Sequence, residues 1–250
     1  VAVFSLEMAR EQLTTRLLAG EGLVDSQKLL TGKLSADEWR RVGAAATTIS
    51  ATDIRIDDNP SLSVADMNAQ CRRIPNLGLV VIDYLQLMTG TQDSKGNREQ
   101  EVAFISRTLK AIAKELNVPI IALSQLNRST ELRGGSKRPQ LSDLRESGAI
   151  EQDADIVAFI HRPEYYGINQ DENGMPTAGL AEIIIAKHRN GAVTDVNLRF
   201  LKDQARFADM DDSLMPAATP AGGGQQYDDF ASGSNFDAGG SALGAGLTDE

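Results

Sequence analysis

Short apolar runs rich in β-branched residues recur along this chain, and amphipathic stretches separate the early ones. Runs at 1–4, 77–82, 119–123, 155–160 and 182–186 are nearly continuous in apolar character, the pattern of strands covered on both faces by helices. A sixth run, at 196–200, alternates more and predicts an edge or antiparallel strand. The clearest helical stretch is 98–117, where Val102, Ile105, Leu109, Ile112 and Leu116 recur at helical spacing and Asn117 and Pro119 mark the end. Stretches 8–19, 35–49 and 64–73 also predict helices, the last with Ser63 as N-cap. Strand–helix–strand alternation predicts an α/β fold, a mostly parallel sheet flanked by helices and joined by right-handed crossovers.

The length, 250 residues, suits one full α/β domain rather than two. No apolar run approaches the ~20 residues needed to span a bilayer, so no membrane association is expected. The single cysteine, Cys71, excludes an internal disulfide framework and fits a cytoplasmic protein. The net charge of −10 argues at first against a nucleic-acid partner, but eight acids and no Lys or Arg lie from Asp209 onward. Without them the body carries about −2 and has room for a local basic face. After Asp212 the composition collapses to Gly, Ala, Ser and Asp with scattered aromatics. The expected organisation is therefore a folded domain at 1–212 and a disordered acidic tail at 213–250.

Ligands of open parallel sheets gather beyond the carboxyl ends of the strands. Ser5 and Glu7 follow the first run, Asp83 closes Leu79–Ile82, and Ser124 and Gln125 follow Ile120–Leu123. An acid closing an apolar run is the Walker-B pattern for Mg²⁺ bridging nucleotide phosphates; a surface Asp capping the next segment is the alternative. Glu7 could polarise an attacking water or be an ordinary first-turn acid. Gln125 could sense a γ-phosphate or simply bond backbone. Lys187 and Arg189, two apart on one side of an extended chain, could meet the charge of a transferring phosphoryl group or be solvated before the Asn190-Gly191 turn.

The segment 127–139 carries Arg128, Arg133, Lys137 and Arg138 among Gly and Ser, and Arg145 follows beside Gly148. Flexible cationic loops suit contact with successive phosphates of a nucleic-acid backbone; a mobile solvated loop is the alternative. His161 and His188 lack companions at zinc-ligand spacing, and Cys71 reads as a buried structural thiol. No segment satisfies Gly-x-x-x-x-Gly-Lys-[Ser/Thr]; Gly32-Lys33-Leu34 comes nearest and lacks the hydroxyl and the first glycine. The expectation is that the chain begins mid-domain, with the first strand and phosphate-binding loop upstream of Val1, and alone hydrolyses nucleotide poorly.

Five ordered blocks together resemble the C-terminal motor domain of the bacterial DnaB-type replicative helicases. They are Phe4-Ser5-Leu6-Glu7-Met8, Val81 to Met88, Leu123 to Arg128, Ser142 to Asp155, and Lys187-His188-Arg189-Asn190-Gly191. The resemblance implies a RecA-like ATPase core, ATP and Mg²⁺ as cofactors, and a homohexameric ring around single-stranded DNA at the replication fork. It implies roles for Glu7 as catalytic base, Asp83 as Mg²⁺ ligand and Gln125 as γ-phosphate sensor. Lys187 and Arg189 would reach the neighbouring subunit's nucleotide, and Arg145, Glu146 and Gly148 would hold the DNA backbone. Primase and a helicase loader are expected partners, through regions mostly outside this chain. Two rivals remain at this point: a filament-forming recombinase-type ATPase, and a non-catalytic DNA-binding or ring-interaction protein that naturally lacks the loop.

Overall fold

The computed structural model describes residues 1–90, 98–135 and 137–210, without the side chains of 145–147. The expected tail at 213–250 lies outside the described residues. Among the described residues the strands, in chain order, are β1 (Ala2–Ser5), β2 (Arg55–Asp57), β3 (Val80–Asp83), β4 (Ile120–Ala122), β5 (Ile156–His161), β6 (Leu180–His188), β7 (Thr194–Leu201) and β8 (Arg206–Asp209). The helices are α1 (Arg10–Gly22), α2 (Ser26–Thr31), α3 (Ala36–Ser50), α4 (Val64–Cys71), α5 (Arg98–Leu116), α6 (Ser129–Leu132) and α7 (Gly148–Asp153).

The first four strands form a wholly parallel sheet in the order β2-β1-β3-β4. Its register sets Ser5 opposite Asp83 and Val80 opposite Ile120. Ala2, Phe4, Val80 and Ile82 bury one face against Met67 and Cys71 of α4 and Val102, Ile105, Leu109 and Ile112 of α5. The helical spacing of those α5 residues makes one apolar stripe, and that stripe forms the floor of the main core. The other face carries Val3, Ile56, Val81 and Ile121 in one register row. The first three are only half-buried and Ile121 is 51% exposed.

A separate cluster gathers Ala19, Val24 and Val42 where α1, α2 and α3 meet. Helix α3 starts at a capping box: the Ser35 hydroxyl accepts from the Glu38 amide at 3.2 Å and the Glu38 carboxylate accepts from the Ser35 amide at 2.8 Å. Gly32 closes α2 with φ +69°. The nearest sequence match to a phosphate loop is therefore a helix C-cap, at a position only glycine adopts readily.

From Asp155 the chain departs from the pattern expected of doubly covered strands. β5, β6, β7 and β8 form a second sheet, antiparallel throughout, and β5 alternates exposed and buried residues. Parallel strands are usually joined by a helix that carries the chain back along the sheet. Between β5 and β6 the one helical element is a 3-10 turn at Pro163–Tyr166, and β6 returns antiparallel. The alternating run at 196–200 lies in β7 and is antiparallel as expected. Leu144 packs on Val157, Phe159 and Ile184, which ties the 3-10 turn Leu141–Ser147 to this second sheet.

Candidate functional site

Three of the sequence-predicted residues come together at the carboxyl edge of the parallel sheet. The Ser5 hydroxyl is buried and donates to the Met8 carbonyl at 2.7 Å. It accepts from the Met8 amide at 3.3 Å, so it shapes the turn from β1 into α1. The Leu6 amide donates to the Asp83 carbonyl at 2.7 Å, which keeps β1 and β3 joined up to Glu7. Glu7 is exposed beyond that pair.

Asp83 ends β3 half-buried. Burial pushes its carboxyl above the ordinary range, and Arg16 on α1 opposes the shift. The hydroxyl of Tyr84 is also raised, by burial first and then by the charges of Glu7 and Asp83. Both acids therefore act on one neighbouring ring, although no direct bond joins them among the described residues.

At the end of β4, Gln125 is held by its backbone. The Gln86 amide group donates to the Ser124 hydroxyl at 2.9 Å and to the Gln125 carbonyl at 3.1 Å, and its oxygen accepts from the Gln125 amide at 3.2 Å. The exposed Gln125 side chain is left available, with no hydrogen bond among the described residues. Gln86, which sequence reasoning placed in a motif without a role, is the clamp that sets this geometry. Arg98 donates in turn to the Gln86 carbonyl. A cavity of about 310 Å³ opens beside the clamp, lined by Gln86, Arg98, Gln125, Asn127, Asp143 and Leu144.

Asp58, just past β2, was not anticipated either. Its carboxylate accepts from the Arg10 amide at 3.1 Å and pairs with the Arg10 guanidinium at 2.8 Å. That pair anchors the start of α1 above the sheet.

The cationic loop is partly tied down. Arg133 pairs with the buried carboxylate of Asp143 and donates to the Arg138 carbonyl at 3.1 Å. Asp143 also accepts from the Gln140 amide at 2.8 Å. Arg138 turns to Glu182 at 2.9 Å and to Asp195 on the second sheet, and Lys137 lies over the Tyr166 ring at 5.4 Å. Arg128 is exposed, with no side-chain partner among the described residues. Arg145 and Glu146 lie in the 3-10 turn, and their side chains are outside the described residues. A Cβ added at Gly148 would meet nothing within 4 Å, so that backbone is open to approach from outside.

Lys187 and Arg189 sit apart from Glu7, Asp83 and Gln125, at the end of β6 in the second sheet. Lys187 donates to the carbonyls of Glu151 and Gln152, the latter at 3.3 Å. Arg189 donates to the Gln152 carbonyl at 3.4 Å and faces the Asp155 carboxylate at 3.5 Å. Gly191 leaves room for the His188 ring: a Cβ there would stand 2.3 Å from it.

Among the described residues no cluster of three or more His, Cys, Asp or Glu could hold a metal, and no helix is long and apolar enough to cross a membrane.

A parallel sheet with an acid closing a central strand, polar groups converging at three adjacent strand ends and an antiparallel extension is the fold of the RecA-like ATPase domains. In overall fold the chain is similar to a solved structure described as a DnaB-like replicative helicase and its interactions with primase, with a TM-score of 0.76 and 37% identity over 84% of this chain and 50% of that one. A solved ATPase domain matches it with the same TM-score and identity, over 84% of this chain and 74% of that one. The chain belongs to the family described as DnaB-like helicase C terminal domain, which it matches over residues 1–209. It is 51% identical over 225 residues to the replicative DNA helicase DnaB of Geobacillus stearothermophilus. It is 49% identical over 225 residues to the replicative DNA helicase DnaC of Bacillus subtilis (strain 168). These alignments take in 89% of this chain, which spans about half the length of the relatives, 48% of each.

Proposed function

We propose that this chain is the motor domain of a replicative DNA helicase. It would hydrolyse ATP at the subunit interfaces of a homohexameric ring and so drive movement along single-stranded DNA and separation of the duplex. The observation that carries the reading is the division of site residues between two sheets. Glu7, Asp83 and Gln125 converge on the parallel sheet's edge, whereas Lys187 and Arg189 lie on the antiparallel sheet with no bond to them among the described residues. A site divided in this way suits completion by a second subunit.

In that reading Glu7 orients and deprotonates the attacking water as general base. Gln125, its backbone fixed by Gln86, holds the γ-phosphate or that water. Arg189 and Lys187 of the adjacent subunit meet the charge that develops on the transferred phosphoryl group. Asp83 fits Mg²⁺, since that ion takes one or two carboxylates plus phosphate oxygens and needs no protein cage. The half-buried carboxylate of Asp83, disfavoured as an anion by its surroundings, gains most from a cation. Bound Mg²⁺ would supply neutralisation of phosphate charge.

Arg128, Arg145 and Gly148 would hold the DNA backbone, with Glu146 in the same turn. Arg133, paired to Asp143, would contribute to that grip by shaping the loop. Contact of this kind is sequence-tolerant and weakens with salt. Primase and a loader are proposed partners, and the cytoplasm the proposed location.

Replacing Asp83 by Ala in the intact enzyme is expected to abolish Mg²⁺-dependent ATP turnover and unwinding. Retained turnover would remove the Mg²⁺ assignment.

A further inference from the structure

We propose that Asp155 is a latch that holds Arg189 against the carboxyl end of α7 until a neighbouring subunit's nucleotide phosphates draw it away, and that α7 relays this release to the turn at Gly148. The inference rests on the reading above, in which Arg189 acts on a neighbour's nucleotide, and adds a positioning residue for that step.

Asp155 lies between α7 and β5 and gathers three contacts. Its carboxylate faces Arg189 at 3.5 Å and pairs with Lys110 of α5, while its carbonyl accepts from the Arg189 amide at 2.8 Å. The Arg189 guanidinium also reaches the Gln152 carbonyl at 3.4 Å, and Lys187 covers the carbonyls of Glu151 and Gln152. These are among the last carbonyls of α7, which have no intrahelical partners, and cations are favoured there. The two cations assigned to phosphate chemistry are therefore already engaged, by a helix end and a carboxylate.

The Arg189 contacts are long, and both side chains of the pair are about half exposed, at 51% and 55%. An exposed pair of this kind is worth little, and a phosphate offers Arg a charge-assisted, two-pronged alternative. Capture by a triphosphate can therefore displace the latch. Asp155 is not orphaned when that happens, because Lys110 remains on its other oxygen.

The same contacts define what moves. Helix α7 begins at Gly148, directly after the turn that carries Arg145 and Glu146. Withdrawing Lys187 and Arg189 uncovers the carboxyl end of that helix, and DNA engaging its start biases the same short segment from the other side. Two ligands acting on one element are coupled reciprocally. With the latch closed, Arg189 is less available to a neighbour's phosphate; DNA bound at Gly148 favours its release.

The test is Asp155→Asn in the intact, assembled enzyme, with Asp155→Glu and Arg189→Ala alongside. ATP turnover is measured with and without single-stranded DNA, and thermal unfolding is recorded for each protein. Asp155→Asn is expected to raise DNA-independent turnover, or lower KM for ATP, about two- to fivefold, the factor an exposed ion pair is worth. Stimulation by DNA should shrink by a similar factor, and Asp155→Glu should restore it. A merely structural role would lower the unfolding temperature and leave the stimulation ratio unchanged. If Arg189→Ala depresses turnover while Asp155→Asn keeps the parent's basal rate and stimulation, the latch is overturned and the functional reading stands. If Arg189→Ala leaves turnover unchanged, the interface role of Arg189 fails and the latch falls with it.

Discussion

Asp83 closes its strand at a cost to the fold. The apolar run before it buries Val80 and Ile82 completely and carries the carboxylate half out of water. Its pKa is therefore raised in the folded chain, with Arg16 only partly offsetting the effect of burial. A raised acid binds its proton more tightly folded than unfolded, so it lowers stability as pH climbs through the ordinary carboxylate range to the folded value. Asp83→Asn should accordingly raise the melting temperature near neutral pH by about 2–4 °C or less, the shift that ~1 kcal/mol gives a domain of this size. The gain should vanish in acid, and a variant no more stable than its parent at pH 7 would contradict the argument. Asp83 itself was legible as an acid closing an apolar run. Its surroundings were not, because Arg16 acts on Asp83 only through the placement of α1, and Glu7 meets the same Tyr84 ring only through the β1–β3 register.

Elements divide in the same way. α5 and α3 were readable because each carries a long apolar stripe, and Ser35 followed by Glu38 marks the start of α3. β2 escaped notice: its three residues, Arg55–Asp57, hold one apolar side chain between two charges, and only pairing with β1 makes them a strand. β8 was equally hidden, since Arg206–Asp209 forms against β7 alone. The start of α3 offers a direct test. Ser35→Ala should cost about 1 kcal/mol, read as faster amide exchange in α3. The Glu38 carboxyl is held at about 2 by the Ser35 amide first and then by Lys28. A lowered acid stabilises above its unfolded pKa and loses that contribution as pH falls. Protection in α3 should therefore decline from the ordinary glutamate range down towards about pH 2, and protection factors that do not change with pH would rule the cap out.

Over the whole molecule the parallel sheet is covered unequally. Phe4, Val80 and Ile82 are buried on one face, whereas Ile121 is 51% exposed on the other, with Leu123 at 44% just beyond the strand. Parallel sheets are ordinarily covered on both faces, so the exposed row should bind an apolar dye. Ile121→Thr should weaken dye binding and change stability by no more than about 0.5 kcal/mol. Ile82→Ala, on the covered face, should cost about 2–5 kcal/mol in chemical denaturation. Equal costs at the two positions would mean that both faces belong to the core.

Patterns confined to neighbouring residues determined the α/β class, the helical stripe of α5 and the acids and amide that follow the early strands. Periodicity and strand-end chemistry are local, and local terms are written along the chain. Tertiary structure alone decided that β5 and β6 join β7 and β8 in one antiparallel sheet, that Gln86 clamps Gln125, and that Arg133 is paired with Asp143. Only in the folded chain does Asp155 stand between Lys110 and Arg189. Gln86–Gln125 and the Asp155 contacts join residues distant along the chain, and such pairings form only after sheet register and helix packing have brought the partners within bonding distance.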